Sequence, residues 1–166
     1  MEGSIALLSF VTLQRLTELV IARRNTRALL ARGASEIGAA HYPYMVALHA
    51  AWIAGLWLLG PGRPVVLGWV AVFALLQLGR LWVLATLKGR WTTRIIVLPG
   101  APLVRGGPYR FLSHPNYAVV IAEIAVLPLA LGMPVFAAVF SVLNAAMLAV
   151  RIAAEGRALK AAMFLK

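Results

Sequence analysis

Five apolar stretches alternate with polar segments along the chain. They cover residues 4–22, 44–60, 64–87, 115–131 and 134–150. A helix that spans a bilayer needs roughly 17–25 mostly apolar residues. The third stretch fits this length comfortably, three others lie near its lower limit, and the first carries Arg15 and Glu18. The pattern predicts an all-α, polytopic integral membrane protein with about five transmembrane helices, formed by residues 1–166 as a single membrane-embedded domain.

Two connecting segments add detail to this prediction. The last two apolar stretches are joined only by residues 132–134, Gly-Met-Pro, so they should form a tight helical hairpin. Residues 94–105 contain two short runs typical of extended chain on either side of Pro99 and Gly100, which are typical turn residues.

The composition excludes several classes of protein. Of the 166 residues, 62% are hydrophobic and 13% charged, against about 45–50% and about 25% in soluble domains. A soluble globular domain and a disordered chain are therefore both disfavoured. The chain has no cysteine, which excludes disulfides, thiolate metal ligands and a cysteine nucleophile.

The net charge of +11 comes from basic residues that collect in three regions. These are Arg23, Arg24, Arg27 and Arg32; Lys88, Arg90, Arg94, Arg105 and Arg110; and Arg151, Arg157, Lys160 and Lys166. With five spans, all three regions fall on one side of the membrane, and the positive-inside rule makes that side cytoplasmic. We therefore expect a cytoplasmic (inner) membrane protein with its N-terminus outside and its C-terminus inside. The sequence lacks the interleaved aromatic and basic residues that are typical of proteins that bind single-stranded nucleic acids, so we expect no nucleic-acid partner.

Residues 106–117 carry the most informative polar pattern. Pro115 suits the first turn of the fourth helix, whose free N–H groups are able to hold an anion. His114 and Tyr117 are three residues apart and should share one helix face. The ordinary alternative is the start of a helix with aromatic residues at the lipid headgroups, and local sequence favours neither interpretation.

A second polar pair, Arg151 and Glu155, lies at the end of the fifth stretch. Four residues apart on a helix, the two should meet on one face. Alone they would be interpreted as an ordinary pair at a helix end. The predicted hairpin, however, returns Arg151 to the side of the membrane where His114 lies, so these residues should be close together.

Several polar residues fall within or beside the apolar stretches. Arg15 and Glu18 favour a structural ion pair, whereas for Glu123 packing and substrate contact are equally plausible. With Arg80 these charges also allow another class of protein, a proton-coupled transporter that uses Glu18 and Glu123. His41 and His49, eight residues apart, supply too few ligands for a metal site, so no metal is expected.

The polar patterns together resemble the isoprenylcysteine carboxyl methyltransferase family. The resemblance rests on residues 107–117 (GPYRFLSHPNY), the apolar hairpin and residues 151–155 (RIAAE), within a signature that covers about 92–159. Residues 14–18 (QRLTE), 24–25 (RN) and 41–43 (HYP) resemble a small bacterial branch of that family. Some members of this branch are associated with methylation of phenolic lipids or alkylpyrones.

The resemblance implies a methyltransferase that takes S-adenosylmethionine from the cytosol, releases S-adenosylhomocysteine and receives a lipophilic acceptor from the membrane lipids. The cofactor pocket would be lined by Tyr109, His114, Pro115, Asn116, Tyr117 and Glu155. Arg151 would orient an anionic acceptor oxygen, such as that of a phenol, enol or carboxylate, and Glu123 is a further candidate for contact with the acceptor. A neutral hydroxyl would need a base, for which His114 is the first candidate. A phospholipid amine is an alternative acceptor.

Two departures from the family pattern matter. The family often has two adjacent acidic residues where this chain has Glu155 and Gly156. Its longer members also cover the active site with a C-terminal tail, whereas only residues 156–166 follow Glu155 here. A cover is therefore expected from residues 91–105 or from a second protomer in a homodimer.

Overall fold

The computed structural model describes the backbone of residues 2–164 and the side chains of residues 2–157. Five helices dominate it: α1 (Glu2–Leu30), α2 (Tyr42–Leu59), α3 (Leu67–Leu87), α4 (Pro115–Ala130) and α5 (Pro134–Phe164). Short 3-10 turns occupy Ala39–His41, Lys88–Arg90 and Gly107–Arg110. The predicted tail charges Lys160 and Lys166 lie outside the residues whose side chains are described.

Each predicted apolar stretch becomes one helix, and the all-α polytopic membrane fold is confirmed. By length and composition, α1, α2, α3 and α5 are able to cross a membrane, while α4, with 16 residues, is shorter. Four of the five predicted spans are therefore long enough to cross a membrane, and a fifth span formed by α4 stays a prediction. Both α1 and α5 extend well past their apolar stretches, because Arg and Ala favour helix after the hydrophobic pattern has ended.

Helix α4 is the most enclosed helix of the bundle. It packs mainly against α3 and α5, and Ile124, Leu127 and Ala130 are buried. Its connection to α5 turns at Gly132, which has a φ of 64°, a conformation that glycine adopts without strain. The predicted tight hairpin of α4 and α5 is thus confirmed. The outward faces of the helices carry many exposed Leu, Val, Ile and Trp side chains.

The prediction for residues 94–105 is correct only for the first run. Residues 95–97 form a strand, β2 (Ile95–Val97), whereas residues 101–105 form none. The partner of β2 is β1 (Ser35–Ile37), which pairs with it antiparallel, Glu36 opposite Ile96. Arg94 holds the two segments together, because its Nη1 donates to both oxygens of Glu36 at 2.8 and 2.7 Å.

A cluster of ionic side chains connects three helices inside the bundle. Arg15 and Glu18 form the predicted pair at 2.9 Å, and Arg15 Nη2 also donates to Glu123 at 2.6 Å. Arg80 donates to Glu123 through Nε at 2.9 Å and through Nη2, and to Glu18 at 3.2 Å. Gln77 adds a hydrogen bond of 2.7 Å to Glu123. Two carboxylates thus balance two guanidinium groups, as burial in an apolar bundle requires.

Candidate active site

His114, Tyr117 and Glu155 form a contact cluster where α4 begins. His114 precedes Pro115, the first residue of α4, and its ring stacks on that of Tyr117 with centroids 5.1 Å apart. The Tyr117 hydroxyl donates to Glu155 Oε2 at 2.8 Å, and His114 Nδ1 lies 3.7 Å from the same oxygen. The predicted shared face of His114 and Tyr117 is confirmed, and the hairpin does bring α5 back to His114.

Arg151 turns away from Glu155 and is buried, with 6% of its surface exposed. Its Nη1 donates to the Thr93 carbonyl at 3.0 Å and contacts the Met45 sulfur, and its guanidinium lies 5.7 Å from the centre of the Tyr117 ring. Its Nε is buried without a hydrogen-bond partner among the described residues. No hydrogen bond or ion pair joins Arg151 to Glu155, so the predicted meeting of these two side chains on one helix face is wrong, and so is the alternative of an ordinary exposed pair at a helix end.

A polar cavity of about 480 Å³ opens beside this cluster. Its wall contains residues 90–92, 94–98 and 103–105 together with Leu29, Leu87, Tyr109, Ser113, His114, Asn116, Tyr117 and Glu155. All the residues predicted for a cofactor pocket line it except Pro115, which is buried at the first turn of α4. Residues 91–105 supply much of this wall. This position fits the prediction that these residues, rather than a second protomer, cover the active site.

A second, apolar cavity of about 430 Å³ lies between the helices. Apolar side chains of α1, α2 and α5 supply most of its wall. Its charged or titratable residues are Arg15, Glu18, Tyr42, His49, Arg80, Tyr117 and Arg151. Its largest buried aromatic side chain is Trp52, which is 1% exposed.

The two cavities meet at a shared wall formed by Trp91, Thr92, Asn116 and Tyr117. On this wall, Trp91 Nε1 and Asn116 Oδ1 are buried and have no hydrogen-bond partner among the described residues. Buried polar atoms are nearly always satisfied in folded proteins. This donor and this acceptor, both without a partner on the shared wall, are therefore candidates for contact with a ligand.

Two ionisable groups outside the spanning segments have defined charge states. Burial, together with the negative charge of Glu155, raises the pKa of the Tyr109 phenol to about 12. Tyr109 is therefore a neutral hydrogen-bond donor near pH 7. The hydrogen bonds from Arg94 to Glu36 raise the pKa of that guanidinium, so Arg94 is positively charged where it joins β1 to β2.

The structure separates Glu123 from the other predicted site residues. It is fully buried and lines neither cavity; its partners Arg15 and Arg80 lie between it and the apolar cavity. The contacts of Met45 and Thr93 with Arg151 were not anticipated, because they join segments far apart in the sequence. Trp91 and Thr93 were expected only within the cover formed by residues 91–105, and His49 was considered only as a metal ligand.

A bundle of apolar helices with two adjoining cavities defines the chain as a polytopic membrane protein. Residues 69–161 match the isoprenylcysteine carboxyl methyltransferase (ICMT) family. The chain belongs to this family and is thus a membrane methyltransferase. It is also 41% identical over 159 residues to the uncharacterized protein YpbQ of Bacillus subtilis (strain 168), covering 93% of this chain and 95% of that protein. No solved structure matches the chain significantly.

Proposed function

We propose that this protein transfers a methyl group from S-adenosylmethionine to an oxygen of a lipophilic acceptor at the cytosolic face of the membrane. The observation that carries the proposal is the wall shared by the two cavities, formed by Trp91, Thr92, Asn116 and Tyr117. A polar, charged methyl donor suits one side of this wall, and an apolar acceptor suits the other. Methyl transfer needs the two reactants in contact at a single point.

The residues of the polar cavity fit S-adenosylmethionine chemically. Glu155 offers a carboxylate for the hydroxyl or ammonium groups of the ligand, and Arg105 offers a cation for its carboxylate. Trp91 and Tyr109 offer aromatic surface for the adenine. The open Asn116 Oδ1 and Trp91 Nε1 supply an acceptor and a donor that the protein itself leaves unused.

The cofactor supplies an activated methyl group on a positively charged sulfur, which carries its own leaving group. The protein's task is therefore mainly alignment, which contributes about 7–11 kcal/mol in well-oriented reactions. Tyr117 is held by the Glu155 hydrogen bond and the His114 stack, so the shared wall is rigid on the α4 side. Arg151 lies on the acceptor side, and its buried Nε–H has no hydrogen-bond partner within the described protein. This group is therefore available to donate a hydrogen bond to the acceptor oxygen.

The charge of Arg151 discriminates among acceptors. A phenolate, enolate or carboxylate oxygen is attracted to the guanidinium, whereas an ammonium headgroup is repelled. We therefore favour O-methylation, with a phenolic or pyrone lipid as the first choice and a phospholipid amine as the least favoured alternative. Many apolar side chains are exposed on the helices, so the outside of the bundle faces lipid. The rest of a long acceptor is therefore able to stay in the bilayer.

The membrane setting follows from the charges. The basic residues of the loops and the site residues lie at the same end of the bundle in our topology, so we place both cavities at the cytoplasmic side of the inner membrane. The N-terminus is then outside and the C-terminus cytoplasmic. We treat residues 1–166 as one functional domain, and because residues 91–105 already wall the polar cavity, catalysis by this proposal does not require a homodimer.

Binding of S-adenosylhomocysteine to the purified protein in nanodiscs tests the proposal, measured by calorimetry. We expect saturable binding that Glu155→Gln weakens at least tenfold. Glu2→Gln, which removes an exposed carboxylate remote from both cavities, is the matched control and should bind like the wild type. Absence of binding by folded wild-type protein would refute the proposed cofactor.

A further inference from the structure

Two of the chain's three histidines line the cavities, one in each. His114 lines the polar cavity, where it contacts Tyr117 and Glu155. His49 lines the apolar cavity. His41 lines neither. On the side where the acceptor would bind, His49 is thus the one imidazole among the residues that the structure describes.

One ring nitrogen of His49 is fixed by a hydrogen bond within α2. His49 Nδ1 lies 2.9 Å from the carbonyl oxygen of Met45. A carbonyl oxygen only accepts hydrogen bonds, so Nδ1 carries a hydrogen and donates it. In the neutral ring, Nε2 then keeps its lone pair, and it makes no hydrogen bond to any described residue. The hydrogen bond therefore selects the tautomer that is able to take up a proton at Nε2.

Met45 places His49 next to the proposed anchor of the acceptor oxygen. The sulfur of Met45 contacts Arg151 Nη1, while its carbonyl accepts from His49. His49 and Arg151 are thus two neighbours of one residue and line the same cavity. The charged groups that act on His49 are Arg15 on α1, Arg80 on α3 and Arg151 on α5, and no described carboxylate pairs with it.

We propose that His49 is the general base of the reaction and that the protein acts on neutral hydroxyl acceptors, such as weakly acidic phenols or enols. This inference rests on the proposed methyl transfer and specifies its acceptor. As the acceptor oxygen forms its bond to the methyl carbon, its proton passes to His49 Nε2. The carbon–sulfur bond breaks with its electron pair left on sulfur, which gives a methyl ether and a neutral thioether. The imidazolium then returns its proton to water.

The assignment differs from the one that the sequence suggests first. His114 lies in a His-Pro-Asn-Tyr motif and attracts attention for that reason, but it faces Glu155 in the polar cavity. A base must be within hydrogen-bond reach of the proton that it removes, directly or through one water molecule. The wall of the apolar cavity contains both His49 and Arg151. By this proposal His49 takes the proton of the acceptor, and Arg151 stabilises the developing anion.

A binding experiment without methyl transfer tests the contact. The protein is labelled with ¹⁵N-histidine, placed in nanodiscs and titrated with a long-chain alkylphenol until tryptophan fluorescence saturates, since Trp52 and Trp91 line the cavity. We expect the His49 Nε2 signal, assigned as the one lost in His49→Gln, to shift with the phenol and not with its methyl ether. A shift of His114 alone, or of no histidine at saturation, would overturn the proposal.

A kinetic experiment tests the proton transfer. Alkylphenols of graded acidity are compared in the wild type and in His49→Gln, with His41→Gln as the matched control. We expect His49→Gln to slow transfer to weakly acidic phenols about 10²- to 10⁴-fold, the usual range for loss of a general base. Transfer to phenols that are already ionised should change less than threefold.

The outcomes separate this inference from the proposed function. Equal slowing of neutral and ionised acceptors would assign His49 a structural role, contradict the proposed base and leave methyl transfer intact. If the wild type binds S-adenosylhomocysteine and the alkylphenol shifts His49, but no phenol is methylated, then the proposed reaction fails although His49 contacts the ligand. In that case the role of His49 as a base is rejected as well.

Discussion

The hydroxyl of Tyr117 donates a 2.8 Å hydrogen bond to Glu155, and this bond joins the first turn of α4 to α5 across the hairpin. Tyr117 also lines both cavities, while Glu155 lines the polar one. The bond therefore couples the position of the shared wall to the carboxylate that we propose for cofactor binding. A change at either residue should alter the polar cavity without unfolding the bundle.

Tyr117→Phe tests this coupling directly. The variant keeps the ring that stacks on His114 but loses the hydrogen bond, which is worth about 0.5–1.5 kcal/mol net. We expect S-adenosylhomocysteine to bind about 3- to 10-fold more weakly by calorimetry, with the melting temperature changed little. Tyr44→Phe removes a hydroxyl from an exposed tyrosine and serves as the control. Unchanged affinity in Tyr117→Phe would show that the bond does not position Glu155.

Arg151→Lys tests the anchor of the acceptor oxygen. Lysine keeps the positive charge but lacks the planar guanidinium, whose Nη1 reaches the Thr93 carbonyl and whose buried Nε has no partner within the described protein. We expect kcat/KM for methyl transfer to fall about 100-fold, while the Kd for S-adenosylhomocysteine changes less than twofold. The matched control is Arg157→Lys, because Arg157 is exposed and lies six residues further along α5. Loss of cofactor affinity together with activity would contradict a role confined to the acceptor.

Local sequence patterns specify helix positions and contacts between nearby residues, but not the pairing of distant segments. Helix positions follow from apolar runs, and the contact of His114 with Tyr117 follows from a spacing of three residues, so both were predictable. The pairing of Glu36 with Arg94 joins segments 58 residues apart. The run that forms β2 was predicted to be extended, but β1, its partner, has no strong pattern of its own. Interactions of this kind depend on how the helices pack, and a single sequence does not specify that packing.

The buried charges illustrate the same limit. Arg15 and Glu18 lie on one helix, so their pairing was predictable. Glu123 has no partner on its own helix, and its contacts with Arg15 and Arg80 appear only after α1, α3 and α4 are assembled. The sequence therefore left its role open between packing and substrate contact, whereas the structure places it behind the wall of the apolar cavity.

Glu123→Gln tests whether this cluster is structural. The substitution leaves two buried guanidinium groups with one carboxylate, and breaking a buried ion pair in this way costs about 3–5 kcal/mol. We expect a large fall in melting temperature in detergent and a loss of activity that tracks the loss of folded protein. Glu2→Gln, at an exposed carboxylate, should melt like the wild type.

The same variant distinguishes the enzyme from a proton-coupled transporter. A transporter that uses Glu18 and Glu123 would show proton flux in proteoliposomes, and Glu123→Gln would abolish the flux while leaving the protein folded. The contacts of Glu123 argue for the opposite result, because its two oxygens already accept four hydrogen bonds, from Arg15, Gln77 and Arg80, and so offer no free position for a proton. Flux in the wild type that disappears in a stable Glu123→Gln protein would refute the structural role.

The raised pKa of Tyr109 predicts how the protein responds to alkaline pH. Its pKa of about 12 in the folded state exceeds the ordinary value of 10.0, so the folded protein holds this proton more tightly than the unfolded chain. For an acid shifted in this direction, stability is constant below pH 10 and falls as the pH rises from about 10 to about 12. Tyr109→Phe should remove part of this loss, measured as the difference in chemical denaturation between pH 9 and pH 11. Ultraviolet titration checks the assignment, because Tyr109→Phe should contain one late-ionising phenol fewer than the wild type, whereas Tyr44→Phe should contain as many as the wild type. Identical alkaline loss in both variants would show that Tyr109 does not carry the effect.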